Sequence, residues 1–270
     1  MAVGEGRAGA ARTRPSVPGL PEALAVLTVL LQIAYPLVHG RPRDLLTVAT
    51  VVAFFLATTT HALLHRGAAW AGAYVLVAAG TGLLVEAVGT RTGVPFGSYT
   101  YADSLGPALL DVPLVIPLAW AMMAYPCLLV GQHLARGPLG AAVVGGAALA
   151  AWDLFLDPQM VEAGHWSWTG VRVALPGAPD VPLSNHLGWL AVAVLMVGAL
   201  QLLPRRRADD RQPYALFLWT YASSVLAFAV FFGRPVTALV GGVGMGLVAV
   251  PFALSLRRTL SLRRTREQHA

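Results

Sequence analysis

Residues 112–133 read VPLVIPLAWAMMAYPCLLVGQH, a run with no Asp, Glu, Lys or Arg. An α-helix needs about 20 mostly apolar residues to cross the hydrocarbon core of a bilayer. The run therefore predicts a transmembrane helix. Working outward, seven more runs of the same kind follow, at residues 20–39, 45–65, 68–88, 139–156, 186–203, 214–232 and 236–256. The predicted fold is all-α, a polytopic membrane bundle of about eight helices over residues 19–256, joined on the outer side by two long aromatic-rich loops. Residues 1–18, rich in Gly, Ala, Arg and Pro, predict a disordered basic tail. Residues 257–270 predict a basic cytoplasmic tail that attracts anionic headgroups.

Composition agrees. Of 270 residues, 56% are hydrophobic and 12% charged, and the mean hydropathy is +0.64. Soluble domains carry roughly 25% charged residues. The net charge of +6 comes from 19 basic residues, all Arg. They lie between apolar runs, where they act as topology signals rather than as a nucleic-acid surface. The single Cys127 excludes an intrachain disulfide and a Cys-based metal cage.

The Arg count sets an expected orientation. With eight spans, the side holding both termini carries fourteen Arg, among them Arg66, Arg136 and Arg205–Arg207, against five (Arg41, Arg43, Arg91, Arg172, Arg234) on the other. Both termini are expected in the cytoplasm. The first span has a basic lead, but no small-residue cleavage site follows it, so it is expected to stay as a helix rather than be removed as a signal peptide. Small residues in the fifth and eighth spans (Gly145, Gly146; Gly241, Gly242, Gly244, Gly246) predict helices inside the bundle.

Two connections are long, residues 89–111 and 157–185. Their aromatics suit segments folded back over the helix ends, either as an interfacial belt or as a lid on a substrate. Ionisable groups inside spans are expensive and so point to function. Glu86 lies near the outer end of the third span and Asp153 near that of the fifth. Asp157 follows one turn later on the same face, and Pro158 predicts a helix end there. Asp111 starts the fourth span. The competing reading is structural pairing, with Arg91 or Arg172. His61 and His65 form an HxxxH pair, but no second pair exists to complete a di-iron site, and no metal site is expected. No phosphate-binding loop, nucleophile elbow or DDxxD motif is present. The third and fifth spans both end in carboxylates and lead into aromatic loops, a weak hint of an internal repeat.

Residues 86–101, EAVGTRTGVPFGSYTY, with Leu105-Gly-Pro, Val112-Pro-Leu and 116–120 IPLAW, resemble the membrane carotenoid biosynthesis protein family. So do 151–160, AWDLFLDPQM, and 164–168, GHWSW. The resemblance covers about residues 25–255, and the family's characterised members are carotenoid 1,2-hydratases. It implies a lyase that adds water across the terminal double bond of an acyclic carotenoid, with no cofactor. Such a reaction protonates a trisubstituted alkene to a tertiary carbocation, which water then captures. Apolar surroundings favour the neutral, proton-donating form of a carboxylic acid, and aromatic faces stabilise a cation. The site expected on this basis has Glu86 and Asp153 as acid and base and Asp157 holding the water. Phe96, Tyr99, Tyr101, Trp120, Trp152 and Trp166 would shape the end-group pocket. The expected partners are the linear polyene, membrane lipid and other carotenoid enzymes, with no nucleic acid. The alternatives are a carotenoid cyclase or isomerase using the same acid, a non-catalytic carotenoid-binding protein, and a transporter with the carboxylates as a proton relay.

Overall fold

The computed structural model describes residues 19–268. The expected tail at 1–18 lies outside the described residues. Eight helices among those described are long and apolar enough to cross a membrane. They are α1 (Leu20–Ala34), α2 (Arg41–Arg66), α3 (Ala68–Thr92), α4 (Val115–Leu134), α5 (Gly137–Glu162), α6 (Leu183–Leu200), α7 (Arg211–Leu226) and α8 (Pro235–Gln268). A 3-10 turn, Tyr35–Leu37, extends α1, and a π-helical turn, Ala227–Phe231, extends α7.

The run that opened the sequence reading is the hub. Of the apolar window of α4, 89% is buried. It packs against α2, α3, α5, α6, α7 and α8. The small residues of α5 serve close approach as expected: a Cβ on Gly146 would lie 2.5 Å from the backbone of Val194 on α6, and one on Gly145 2.7 Å from the Cys127 carbonyl on α4. The expectation for α8 is only half met. Its glycines receive Phe155 and Leu154 of α5, yet only 28% of its apolar window is buried. The helix packs on one side and faces outward with Leu239, Val243 and Leu247. It also continues to Gln268, so the basic segment after residue 257 carries on the helix.

Two helix ends differ from the sequence reading in ways that matter for the site. Helix α5 does not stop at Asp157 but runs through Pro158 to Glu162. An interior proline costs about 3 kcal/mol in a water-exposed helix, but membrane helices tolerate it where neighbours satisfy the freed backbone. Beyond the proline, Arg234, the residue before α8, bonds the Pro158 carbonyl at 2.9 Å and Glu162 at 3.1 Å, tying the last turn of α5 to the start of α8. Helix α6 begins at Leu183, three residues before the expected start at His186, so Asn185 belongs to its first turn rather than to the loop.

Six short strands occupy the two long connections: β1 (Tyr99–Tyr101), β2 (Ala108–Leu109), β3 (Val112–Pro113), β4 (Trp166–Trp168), β5 (Ala174–Leu175) and β6 (Ala178–Pro182). Strands β1 and β4 pair antiparallel, with Tyr99 opposite Trp168 and Tyr101 opposite Trp166. Ala102 N–H to the His165 carbonyl and Thr169 N–H to the Ser98 carbonyl extend the ladder at each end. The two loops are thus one hydrogen-bonded lid over the ends of α3 and α5.

The opposite end is closed by a second polar cluster. Arg66, 3% exposed, bonds Asp210 at 2.7 Å and the Tyr125 hydroxyl at 2.5 Å. Its guanidinium lies over the Trp70 and Tyr125 rings, at 5.4 and 5.2 Å. His61 bonds the same hydroxyl and the Asp209 carbonyl, both at 2.9 Å, and His65 stacks on His61 at 4.2 Å. Both ring nitrogens of His61 are occupied. The HxxxH pair pins the α6–α7 connection to α2.

Candidate active site

Glu86 sits on α3, two turns before the helix ends. Gly93 takes φ +73°, the left-handed conformation that reverses the chain. The reversal returns β1 over the helix that precedes it. Alternation along a strand puts Tyr99 and Tyr101 on one face, and both reach Glu86. Their hydroxyls donate to Oε2 at 2.5 and 2.7 Å, and Trp120 Nε1 donates to Oε1 at 3.0 Å. Burial, and then the adjacent Glu86 carboxyl, push both phenols well above their usual range, so they remain protonated donors. Arg91, the partner considered for Glu86, instead meets Asp111 at 3.1 Å in an exposed pair. Asp111 takes no part in the site.

Asp153 and Asp157 lie one turn apart on α5, buried to 0% and 3% exposure. Trp166 of β4 donates to Asp157 Oδ1 at 3.1 Å. The Asn185 amide bridges the two carboxyl groups, bonding Asp157 Oδ2 and, at 3.0 Å, Asp153 Oδ2. His186 Nδ1 lies 3.0 Å from Asp153 Oδ2. Asp153 Oδ1 and His186 Nε2 have no hydrogen-bond partner among the described residues.

Glu86 and Asp157 face one cavity of about 160 Å³. All six aromatics expected to shape the pocket line it. Trp120 stacks on Trp189 at 3.8 Å, and Trp152 meets Trp189 edge-on at 6.2 Å. No Arg or His lines the cavity among the described residues. Two acids thus open onto an aromatic chamber with no cation to neutralise them, an arrangement suited to a transient positive charge. Asp153, expected at the reacting centre, lies behind Asp157 and does not line the cavity.

The family described as carotenoid biosynthesis protein matches residues 45–248, which hold every carboxylate and aromatic just described. The chain belongs to the carotenoid biosynthesis protein family. A curated relative, bisanhydrobacterioruberin hydratase of Haloarcula japonica, is 36% identical over 121 residues. That match covers 42% of this chain and 39% of the relative, well under half of its length. No solved structure matches.

Within this carotenoid biosynthesis protein, three site residues escaped the sequence reading. Asn185 was assigned to the end of a loop and His186 to the first position of the sixth span, and neither was given a role at the site. Trp189 looked like an ordinary apolar residue of a span. An Asn-His pair one turn into a membrane helix was the available signal, since polar groups there need partners. Asp153, Asp157 and His186 each bring one ligand atom within 4.8 Å of the others, a donor set that a divalent cation can use. Of their ligand atoms, Asp153 Oδ2 is within hydrogen-bond distance of His186 Nδ1 and shares the Asn185 amide with Asp157 Oδ2.

Proposed function

We propose that this protein adds water across the terminal double bond of an acyclic carotenoid end group by acid–base catalysis. The observation that carries the reading is the pair of carboxyl groups from two helices, Glu86 and Asp157, opening onto one aromatic chamber. Family membership supports a carotenoid substrate, and the hydratase relative supports hydration.

The size of the cavity supports end-group binding. An apolar cavity of about 150 Å³ accepts one benzene ring. A space of about 160 Å³ therefore seats the terminal isoprene unit, while the remaining polyene lies among the helices and in lipid. In the proposed step Asp157 gives its proton to the less substituted alkene carbon, and the tertiary carbocation forms on the other. Two adjacent carboxyl groups hold a single proton more readily than two negative charges, so Asp153 keeps a proton on Asp157, while the Asn185 amide fixes the geometry of the pair. His186 orients Asp153. The faces of Trp120, Trp152 and Trp189 and the Glu86 carboxylate stabilise the cation. Water attacks the cation, and its released proton passes to Glu86. Return of that proton to Asp157 closes the cycle, so no net proton and no redox equivalent is consumed. Relative to the expectation from sequence, Asp157 takes the place of Asp153 as the partner of Glu86 in the acid–base pair.

The test is expression of the full chain in a bacterium that makes an acyclic carotenoid, followed by mass analysis of the pigments. Hydration adds one water to the substrate mass. Cyclisation or isomerisation leaves the mass unchanged, and a binding protein or transporter leaves the pigment unchanged. Glu86→Gln and Asp157→Asn should lose at least ~100-fold of the hydrated product, the scale of losing general acid–base catalysis, while remaining monodisperse in detergent. Unaltered product from both variants would overturn the assignment of roles.

A further inference from the structure

The cavity has a second polar region that the acid–base groups do not use. Tyr35 of the 3-10 turn and Thr50 of α2 both line it. Tyr35 is 7% exposed, yet its hydroxyl has no hydrogen-bond partner among the described residues, and neither does the buried Thr50 Oγ1. The tyrosine ring is held in place by the Arg43 guanidinium, 5.4 Å from its centroid, and by the edge of Phe232 at 6.3 Å. Three other threonines of α2, Thr47, Thr58 and Thr60, bond carbonyls of the preceding turn, whereas Thr59, like Thr50, has no partner among the described residues. Thr47 and Thr60 bond the carbonyl four residues back, at 3.0 and 2.6 Å. Thr50 does not. Gln32 lines the same region, and its Oε1 already accepts from Trp219 at 2.7 Å, which leaves the amide nitrogen as a donor.

Buried hydroxyls without partners are costly, and native proteins pair them with protein groups or with ordered water. A hydrocarbon end group offers nothing to bond. A guest with a hydroxyl does, and the reaction proposed above requires one beside the cation. A bound water needs roughly two to four polar partners, and Tyr35, Thr50 and Gln32 are three polar side chains that line this cavity. We propose that Tyr35 and Thr50 form a hydroxyl-binding subsite that holds the reactant water, on the wall made by α1 and α2. This rests on the hydration reading. It divides the chamber into an aromatic wall that forms the cation and a hydroxyl wall that supplies its captor. A tertiary cation has two exits. Water can add and lose a proton, giving the alcohol, or the cation can lose a proton from carbon, giving back an alkene. The water subsite selects the first.

The test uses the purified full chain in lipid vesicles with a hydroxyl-free acyclic carotenoid in deuterated water. Mass analysis follows both the alcohol and the deuterium entering the recovered hydrocarbon, which reports cations that formed and collapsed without water. Tyr35→Phe, Thr50→Val and the double variant should lower the ratio of alcohol to deuterated hydrocarbon about tenfold, or ~1.4 kcal/mol. An unchanged ratio, or both products falling in step, would make these residues packing elements and overturn the proposal. An effect confined to KM with a hydroxyl-bearing carotenoid, and absent with the hydrocarbon, would assign the subsite to a substrate hydroxyl and overturn the water assignment. If the wild-type chain gives neither alcohol nor exchange, the hydration reading itself fails, and the water subsite fails with it. A wild type that hydrates, with variants that keep its ratio, refutes the subsite alone.

Discussion

Glu86 collects three donors, and two of them come from one strand. Each hydrogen bond to a charged group is worth about 1.5–3 kcal/mol where it is buried. Tyr101→Phe removes one of the two phenols on Oε2 and keeps the ring that packs edge-on against Trp166 at 5.7 Å. The expected outcome is a roughly tenfold or greater loss of turnover, with the melting temperature of the detergent-solubilised protein little changed. Equal activity in a pigment-conversion assay would show that Glu86 does not depend on this donor. Residue type made Glu86 and Asp157 legible from sequence, because a carboxylate inside an apolar run has to be explained. The difference between Asp153 and Asp157 was not legible. Both lie on one helical face, and only the packing of α6 decides which of them reaches the chamber.

At the scale of elements, the lid is the unit to test. Helix α3 ends where β1 must fold back closely over it. A Cβ on Gly89 would lie 2.7 Å from the Tyr99 hydroxyl and 3.0 Å from Phe96 Cδ2. Gly89→Ala should therefore push Tyr99 off Glu86 and cost activity, while α3 itself gains helix propensity of up to about 1 kcal/mol. A conversion assay that finds Gly89→Ala fully active would show that the lid yields at this contact. The lid also holds His165, buried to 0% side-chain exposure, with Nδ1 at 2.7 Å from the Ser104 hydroxyl. Burial lowers its affinity for a proton, and Asp44, 3.8 Å away, acts weakly in the opposite sense. The unfolded chain then binds a proton that the folded lid resists. Stability from this group is complete above the unfolded value of about 6.5 and is lost as pH falls towards the folded value. The melting temperature should drop between about pH 7.5 and about pH 5.5. His165→Gln should flatten that drop. A slope identical to wild type would remove His165 as its source. The strands that make up the lid were not foreseen. Tyr99-Thr-Tyr101 and Trp166-Ser-Trp168 are three residues each, too short to show a period, and their partners lie 65 to 69 positions apart in the chain.

For the whole molecule, the lid and chamber lie at one end of the bundle, and the Arg66–Asp210 cluster lies at the other. The α7 start touches the α1 start through Gln212 and the Pro21 carbonyl at 3.5 Å, so that cluster shares its end with the described N-terminus. From the Arg asymmetry we propose that this is the cytoplasmic end and that the lid lies outside. In intact cells a membrane-impermeant thiol reagent should label a cysteine placed at Gly170 and spare one placed at Arg207. The reverse pattern would invert the orientation. The native Cys127 is fully buried and leaves a clean background.

The sequence by itself determined the eight helices, their membrane-spanning character and the family. Those follow from hydrophobic runs and local motifs, which act over one helix or one loop at a time. It also named the carboxylates and six of the aromatics that line the chamber, though not Trp189. Only the tertiary structure decided that α5 continues past Pro158, into a last turn tied to Arg234 at the entry to α8. Only the tertiary structure brought Asn185 and His186 to Asp153, joined two loops into one lid, and left Tyr35 and Thr50 facing the chamber without partners. Each of these depends on contacts between segments far apart in the chain, and no local pattern in a hydrophobic sequence encodes which face of a helix will meet which neighbour.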